Sequence, residues 1–246
     1  MRYTRLSFNR YHSSTMRNLC FVFFGIICSF GSIFAQEINQ MDADGQRHGV
    51  WKKYFPASEQ LRYEGEFDHG IEIGTFTFYC AECGTQPMIV KKFSGKTGKA
   101  DVKYYTAKGK LVSEGRMEGK KRVGAWLYYH EKSDAVLTRE LYINGMLDGI
   151  TQTYYANGKL TEEITYVKGL KEGPNQYYSP DGVLLKKLLY INDQLHGAAE
   201  YYDASGNVTI QGQYLKGKKH GLWKYFKNGK LELEEIYPKP RKNGNQ

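Results

Sequence analysis

Beyond residue 35 this chain holds little of what an aliphatic core or a catalytic centre requires. Only Cys80 and Cys83 of its four cysteines lie there, and the whole chain has six prolines and three tryptophans in 246 residues. Two cysteines permit at most one internal disulfide. Mean hydropathy is −0.60, so a large aliphatic interior is excluded. No sustained 3.6-residue periodicity is present, which excludes a helical fold. A nucleophile elbow, a phosphate-binding loop and a His-Glu metal helix are all missing, and with them the main signatures of hydrolases and nucleotide enzymes. "SGKTGK" (Ser94 to Lys99) lacks the first glycine of a phosphate loop at the required spacing and has no helix pattern after it. We read the protein as non-enzymatic, with no cofactor.

The first 35 residues differ from the rest. Arg2, Arg5, Arg10 and Arg17 are their only charges, and the apolar run "LCFVFFGIICSFGSIFA" extends from Leu19 to Ala35. Basic, then apolar, then small is the order of a secretory signal peptide. We expect residues 1–35 to be one, cleaved near Ala35, with either Met1 or Met16 as the start. A retained membrane anchor is the alternative. Cleavage predicts an exported protein that is periplasmic, outer-membrane-associated or secreted. Losing those four arginines lowers the formal charge from +9 to +5, weak grounds for a nucleic-acid partner, and we expect none.

Glycine (27) and tyrosine (21) are abundant. Gly49, Gly74, Gly98, Gly124, Gly149, Gly173, Gly197 and Gly221 recur at steps of 24 to 26 residues, defining eight units. Each is followed four to seven positions on by an aromatic pair: Tyr54-Phe55, Phe78-Tyr79, Tyr104-Tyr105, Tyr128-Tyr129, Tyr154-Tyr155, Tyr177-Tyr178, Tyr201-Tyr202 and Tyr225-Phe226. Turns such as "ANG", "PDG" and "KNG" come next and supply the positive φ of tight hairpins. A second strand then opens on an apolar residue and meets an aromatic six positions later, as in Leu61 and Phe67 or Leu231 and Tyr237. Even spacing puts both on one sheet face. The pattern predicts an all-β fold: an elongated antiparallel β-meander of about eight 24-residue hairpin repeats in an open twisted sheet. Its units are expected to depend on their neighbours for stability.

"YLKGKKHGLWKYFKNGKL" (Tyr214 to Leu231) carries the Tyr-x-x-Gly-x-x-x-Gly core of MORN repeats, and the full unit resembles the bacterial MORN-repeat variant family, whose members are often described as YwqK-type antitoxins. The likeness runs from about Gly45 to Tyr237. It implies a repeat scaffold for protein or membrane contacts, and an antitoxin-like role against a toxin partner as a narrower option. The domain reading is a signal peptide at 1–35, a lead-in at 36–48, a repeat array at 49–237, and a disordered basic tail at 238–246.

Unit two departs most, with "CAECGTQPM" (Cys80 to Met88) where a short turn is expected. Cys80 and Cys83 are read as a loop disulfide, with free thiols, half a zinc site or a redox pair as alternatives. The nearest histidine, His69, has no paired ligand in sequence. His48, His196 and His220 share one slot that other units fill variously, which marks a turn position. Glu64, Glu114, Glu163 and Glu234 also share a slot and are expected to form cross-strand charge pairs. Trp51, Trp126 and Trp223 are candidate interaction anchors, with packing within the sheet as the alternative. Lys120, Lys121, Arg122, Lys216, Lys218 and Lys219 are candidate contacts for anionic lipid head groups or glycans, with solvated turns as the alternative. The leading expectation is an exported scaffold that binds another protein; sequence alone leaves the partner and the oligomeric state open.

Overall fold

The computed structural model describes residues 37–239. The segment read as a signal peptide and the tail from residue 240 lie outside the described residues. A short β1 (Gln40–Met41) precedes eight hairpins. These are β2 (Arg47–Tyr54) with β3 (Leu61–Asp68), β4 (Ile71–Tyr79) with β5 (Pro87–Phe93), β6 (Lys99–Tyr105) with β7 (Leu111–Glu118), and β8 (Lys121–Tyr129) with β9 (Val136–Ile143). Next come β10 (Met146–Leu147) and β11 (Gly149–Tyr154) with β12 (Leu160–Val167), then β13 (Leu170–Tyr178) with β14 (Leu184–Ile191). The last two are β15 (Gln194–Leu195) and β16 (Gly197–Tyr202) with β17 (Val208–Leu215), and β18 (Lys218–Lys227) with β19 (Lys230–Tyr237). All belong to one open antiparallel sheet of 19 strands. Long strands pair with their neighbours in sequence, as β2 does with β3 and β18 with β19.

Two irregularities recur with the repeat. Each unit glycine holds φ between +63° and +114°, a region that costs an L-residue about 1–2 kcal/mol. At Gly124 the bulge is plain: Gly115 pairs with Trp126 and Arg116 with Val123, so Gly124 and Ala125 have no partner across that ladder. The second irregularity falls at each aromatic pair, where the returning strand carries one extra residue. Tyr128 faces Thr138 while Tyr129 faces Val136, leaving Leu137 unpaired. This frame corrects the sequence alignment at three units. In unit three Ala100 occupies the slot of Gly124, two residues past Gly98. Lys53 and Thr153 occupy the slot that Tyr128 fills in unit four, so the aromatic pairs of units one and five begin one position late.

Packing is confined to one face of the sheet. The residue two past the unit glycine, four past it in unit three, forms its central row, and Phe76, Val102, Trp126, Thr151, Asn175, Ala199 and Trp223 are all buried there. Volume is shared between neighbouring strands. Phe76 lies against Gly65, Trp126 against Gly115 and Trp223 against Gly212, and a Cβ at those glycines would come within 2.3–2.4 Å of the rings. Where the central residue is small the returning strand supplies bulk, as Thr151 opposite Ile164 and Asn175 opposite Leu188. A fully buried ring such as Phe76 contributes about 1.5–3 kcal/mol. Phe67, Tyr142, Tyr190, Tyr214 and Tyr237 flank the row opposite the unit glycines.

The segment read as a lead-in, described from residue 37 to 48, acts as a half-repeat. Asn39 N donates to Val50 O, and Lys52 N donates to Asn39 Oδ1. Trp51 Nε1 donates to Gln40 O at 3.0 Å, as Trp126 Nε1 donates to Arg116 O and Trp223 Nε1 to Gln213 O. The lead-in thus gives the first indole the carbonyl that a preceding unit gives the others.

Candidate functional site

On the aromatic face, cations are drawn into rings. Arg122 lies 4.6 Å from the Trp126 centroid and donates through Nη1 to Tyr128 Oη (2.7 Å) and Tyr142 Oη (3.1 Å). Lys219 repeats this in the last unit, 4.2 Å from the Trp223 centroid with Nζ donating to Tyr225 Oη at 2.9 Å. Arg47 stands over Trp51 and Phe67 in the first unit. Desolvation beneath the Arg122 cage holds the Tyr128 hydroxyl well above the usual phenol range, and burial followed by the bond to Tyr214 does the same for Tyr201.

This arrangement locates the sequence candidates. Trp126 and Trp223, at 0% and 1% exposure, present no ring face to a partner. Trp51 is half-buried. The indoles serve the sheet's own packing because the opposing glycines bring the backbone under each ring. Arg122 and Lys219 are likewise engaged by aromatic rings. Lys120, Lys121, Lys216 and Lys218 are exposed, in two turns on the same edge of the sheet. Cys80 and Cys83 are joined as a disulfide, with Cα atoms 5.2 Å apart, inside the long turn of unit two.

The opposite face carries a polar ladder. Lys52 pairs with Glu64 at 3.2 Å, Lys103 with Glu114 at 3.1 Å and Lys224 with Glu234 at 3.8 Å. Gln152 Nε2 donates to Glu163 Oε2, and Lys187 stands opposite Glu200 in the units between. Glu64, Glu114, Glu163 and Glu234 are the acids that share one slot in the sequence. In units two, four and seven the second aromatic leans onto the ladder: Tyr79 Oη donates to Glu64 Oε1 at 2.9 Å, Tyr202 Oη donates to Glu200 Oε2 at 2.7 Å, and Tyr129 donates to Glu114. Burial, then these carboxylates, push Tyr79 and Tyr129 up to about 12. The Tyr129 hydroxyl in turn holds Glu114 below the usual carboxylate range, with Lys103 acting in the same sense.

In units three and four the ladder face opens into a shallow concavity of about 650 Å³, floored by Gly124, Ala125 and Leu127. Asp101, Lys103, Glu114, Arg116 and Arg139 line it. Arg116 Nε donates to Asp101 Oδ1 at 3.3 Å. Sequence reasoning missed this place, because it exists only where Ala125 and Gly124 interrupt the larger side chains of adjoining strands. It also missed a cluster at the first turn, where His69 approaches His48 and Asp68 within 4.8 Å.

The MORN repeat variant model matches residues 147–168, 171–192 and 195–216, which cover β10 to β12, β13 with β14, and β15 to β17. No curated protein sequence matches the chain. Among solved structures, S. aureus TarM in complex with Fondaparinux, alpha-GlcNAc-glycerol and UDP is 12% identical, with a TM-score of 0.31, over 44% of this chain and 21% of that one. A component of the TcdB2-TccC3-Cdc42 structure is 14% identical, with a TM-score of 0.20, over 79% of this chain and 14% of that one. Both overlays are too loose to establish a common topology, and the chain spans only a small part of either protein. Residues 147–216 therefore carry three consecutive repeats of the MORN repeat variant type, within a single open antiparallel sheet.

Proposed function

We propose that the chain is an exported, non-enzymatic repeat scaffold that binds another protein through its ladder face, centred on the concavity of units three and four. The observation that carries this reading is the mixed sign of that surface: Asp101 and Glu114 alternate with Lys103, Arg116 and Arg139 around an apolar floor. A protein partner can match such a pattern residue by residue, and charge complementarity then sets register and selectivity. An anionic surface would meet repulsion from the two acids. A disulfide between Cys80 and Cys83 agrees with an oxidising compartment and with the basic, apolar leader of residues 1–35. Antitoxin-like capture of a toxin is a narrower form of the same reading.

Affinity capture from a cell-envelope extract at low and high salt, followed by mass spectrometry, tests it. A discrete protein should be retained by the wild-type chain and lost by the Lys103→Glu, Arg139→Glu double variant. Retention by both would move the contact elsewhere. A second reading, binding of anionic lipid head groups or glycans, rests on the exposed Lys120, Lys121, Lys216 and Lys218. It predicts that lipid or polysaccharide is captured instead and released by salt.

A further inference from the structure

We infer that the junction of the lead-in with the first hairpin is a divalent metal site, with His48, Asp68 and His69 as ligands and Asp42 as the residue that orients them. Three donor atoms converge there: His48 Nδ1 lies 3.9 Å and His69 Nε2 3.7 Å from Asp68 Oδ1, and all the donors lie within 4.8 Å of one another. Ligands around a tetrahedral zinc stand about 3.3 Å apart, given bonds of about 2.0–2.1 Å. The widest pair has to close by about 1.5 Å, within reach of side-chain rotation at His48 and His69. Two nitrogens and one carboxylate oxygen suit a first-row divalent ion such as zinc, leaving one position open to water.

The second observation is the support behind His69. Its Nδ1 donates to Asp42 Oδ2 at 2.6 Å. Asp42 also accepts from Gln46 N and Asp44 N, which fix its carboxylate in place behind the ring. A carboxylate on Nδ1 places the ring proton there and leaves the Nε2 lone pair aimed at Asp68 and His48. This is the outer arrangement that metal-bound imidazoles use. His196 and His220 fill the slot of His48 in later units, but the chain returning past them differs: Gly217 N closes on Leu195 O as Gly70 N does on Arg47 O, which places Leu215-Lys216 where unit one has Asp68-His69, and Pro238-Lys239 follows Tyr237 beside His220. The site therefore belongs to the first unit alone. Lys96 Nζ contacts Asp68 Oδ2, leaving Oδ1 to the metal. Binding there would tie Asp42, on the lead-in side, to the Asp68–Gly70 turn and anchor the end of the array.

Zn2+ titration of the untagged full chain by calorimetry, with Co2+ as a visible-absorption probe, tests the assignment. The expected result is saturable one-to-one binding with a cobalt band in the visible. His48→Ala and His69→Asn should weaken binding at least tenfold, and His220→Ala should leave it unchanged. Asparagine tolerates the left-handed backbone at position 69, where φ is +48°. Asp42→Asn removes only the orienting carboxylate and should cost about 10- to 100-fold in affinity; it carries the test if a histidine variant fails to fold. Lys96→Ala removes a competing cation and should tighten binding. The assignment is overturned by an absence of saturable binding, by unchanged affinity in His48→Ala and Asp42→Asn, or by loss of binding in a Cys80→Ser, Cys83→Ser variant, which would place the metal on reduced cysteines.

Discussion

Gly115 has no room for a side chain: a Cβ there would lie 2.3 Å from the Trp126 ring. Gly115→Val should cost about 1–3 kcal/mol in urea unfolding, because the indole is held by its own hydrogen bond and cannot retreat. Trp126→Ala alone should cost about 3–5 kcal/mol. The double variant should fall well short of the sum, since the cavity left by the indole accepts the valine; strict additivity would refute the packing described here. Tyr79 and Tyr129 give a second test at this scale. Both ionise near 12 in the folded chain, against 10.0 for a free phenol. Their contribution is whole below pH 10, where both states keep the proton. Between about 10 and 12 the unfolded chain has released protons that the folded chain still holds, so stability falls as pH rises. Urea midpoints across that window should decline, and Tyr129→Phe should make the decline shallower while Glu114 titrates at higher pH by NMR.

At the scale of the hairpin, the recurring bulge sets which face each side chain takes. Gly124 sits at φ +67°, where an added methyl group would meet nothing within 4 Å, so backbone strain alone opposes substitution. Gly124→Ala should therefore cost about 1–2 kcal/mol, and Gly124→Asn less, because asparagine visits that region more readily. An equal loss for the two would point to packing instead of φ. The extra residue lies on the returning strand, whose register it shifts past the aromatic pair; Tyr128 turns toward Arg122 and Tyr129 toward Glu114 because successive residues of a strand alternate faces. One aromatic dipeptide thereby serves both faces.

For the molecule as a whole, contacts run between successive hairpins, as in other repeat arrays where stability is a sum of unit and neighbour terms. Deleting the last hairpin after Leu215 should remove Trp223 and its cage yet leave the preceding units folded. Hydrogen exchange should then show new fraying in β16 and β17 only, with β8 to β12 unchanged. Collapse of protection throughout would show that the sheet folds as one cooperative block. In the intact chain, exchange should be slower in β8 and β12 than in β19, whose Leu231, Leu233 and Ile236 are exposed on the last strand.

The repeat, its eight units and its antiparallel pairing were legible in the sequence because glycine spacing, turn dipeptides and two-residue alternation are local properties, each set within a few residues of chain. The charge pairs of Glu64, Glu114 and Glu234 were legible for the same reason, since strand register carries one shared slot opposite the next. The use of the tryptophans was not, because it depends on glycines in the adjoining strand that remove volume under each ring. Nor was the capture of Arg122 and Lys219 by aromatic cages, which needs rings from the adjoining strand as well as their own. His48 and His69 read as isolated turn residues until the hairpin closed and the lead-in placed Asp42 behind them. Local chain chemistry determined the fold; the partners of each side chain across the sheet were decided only when register and bulges brought distant residues onto one face.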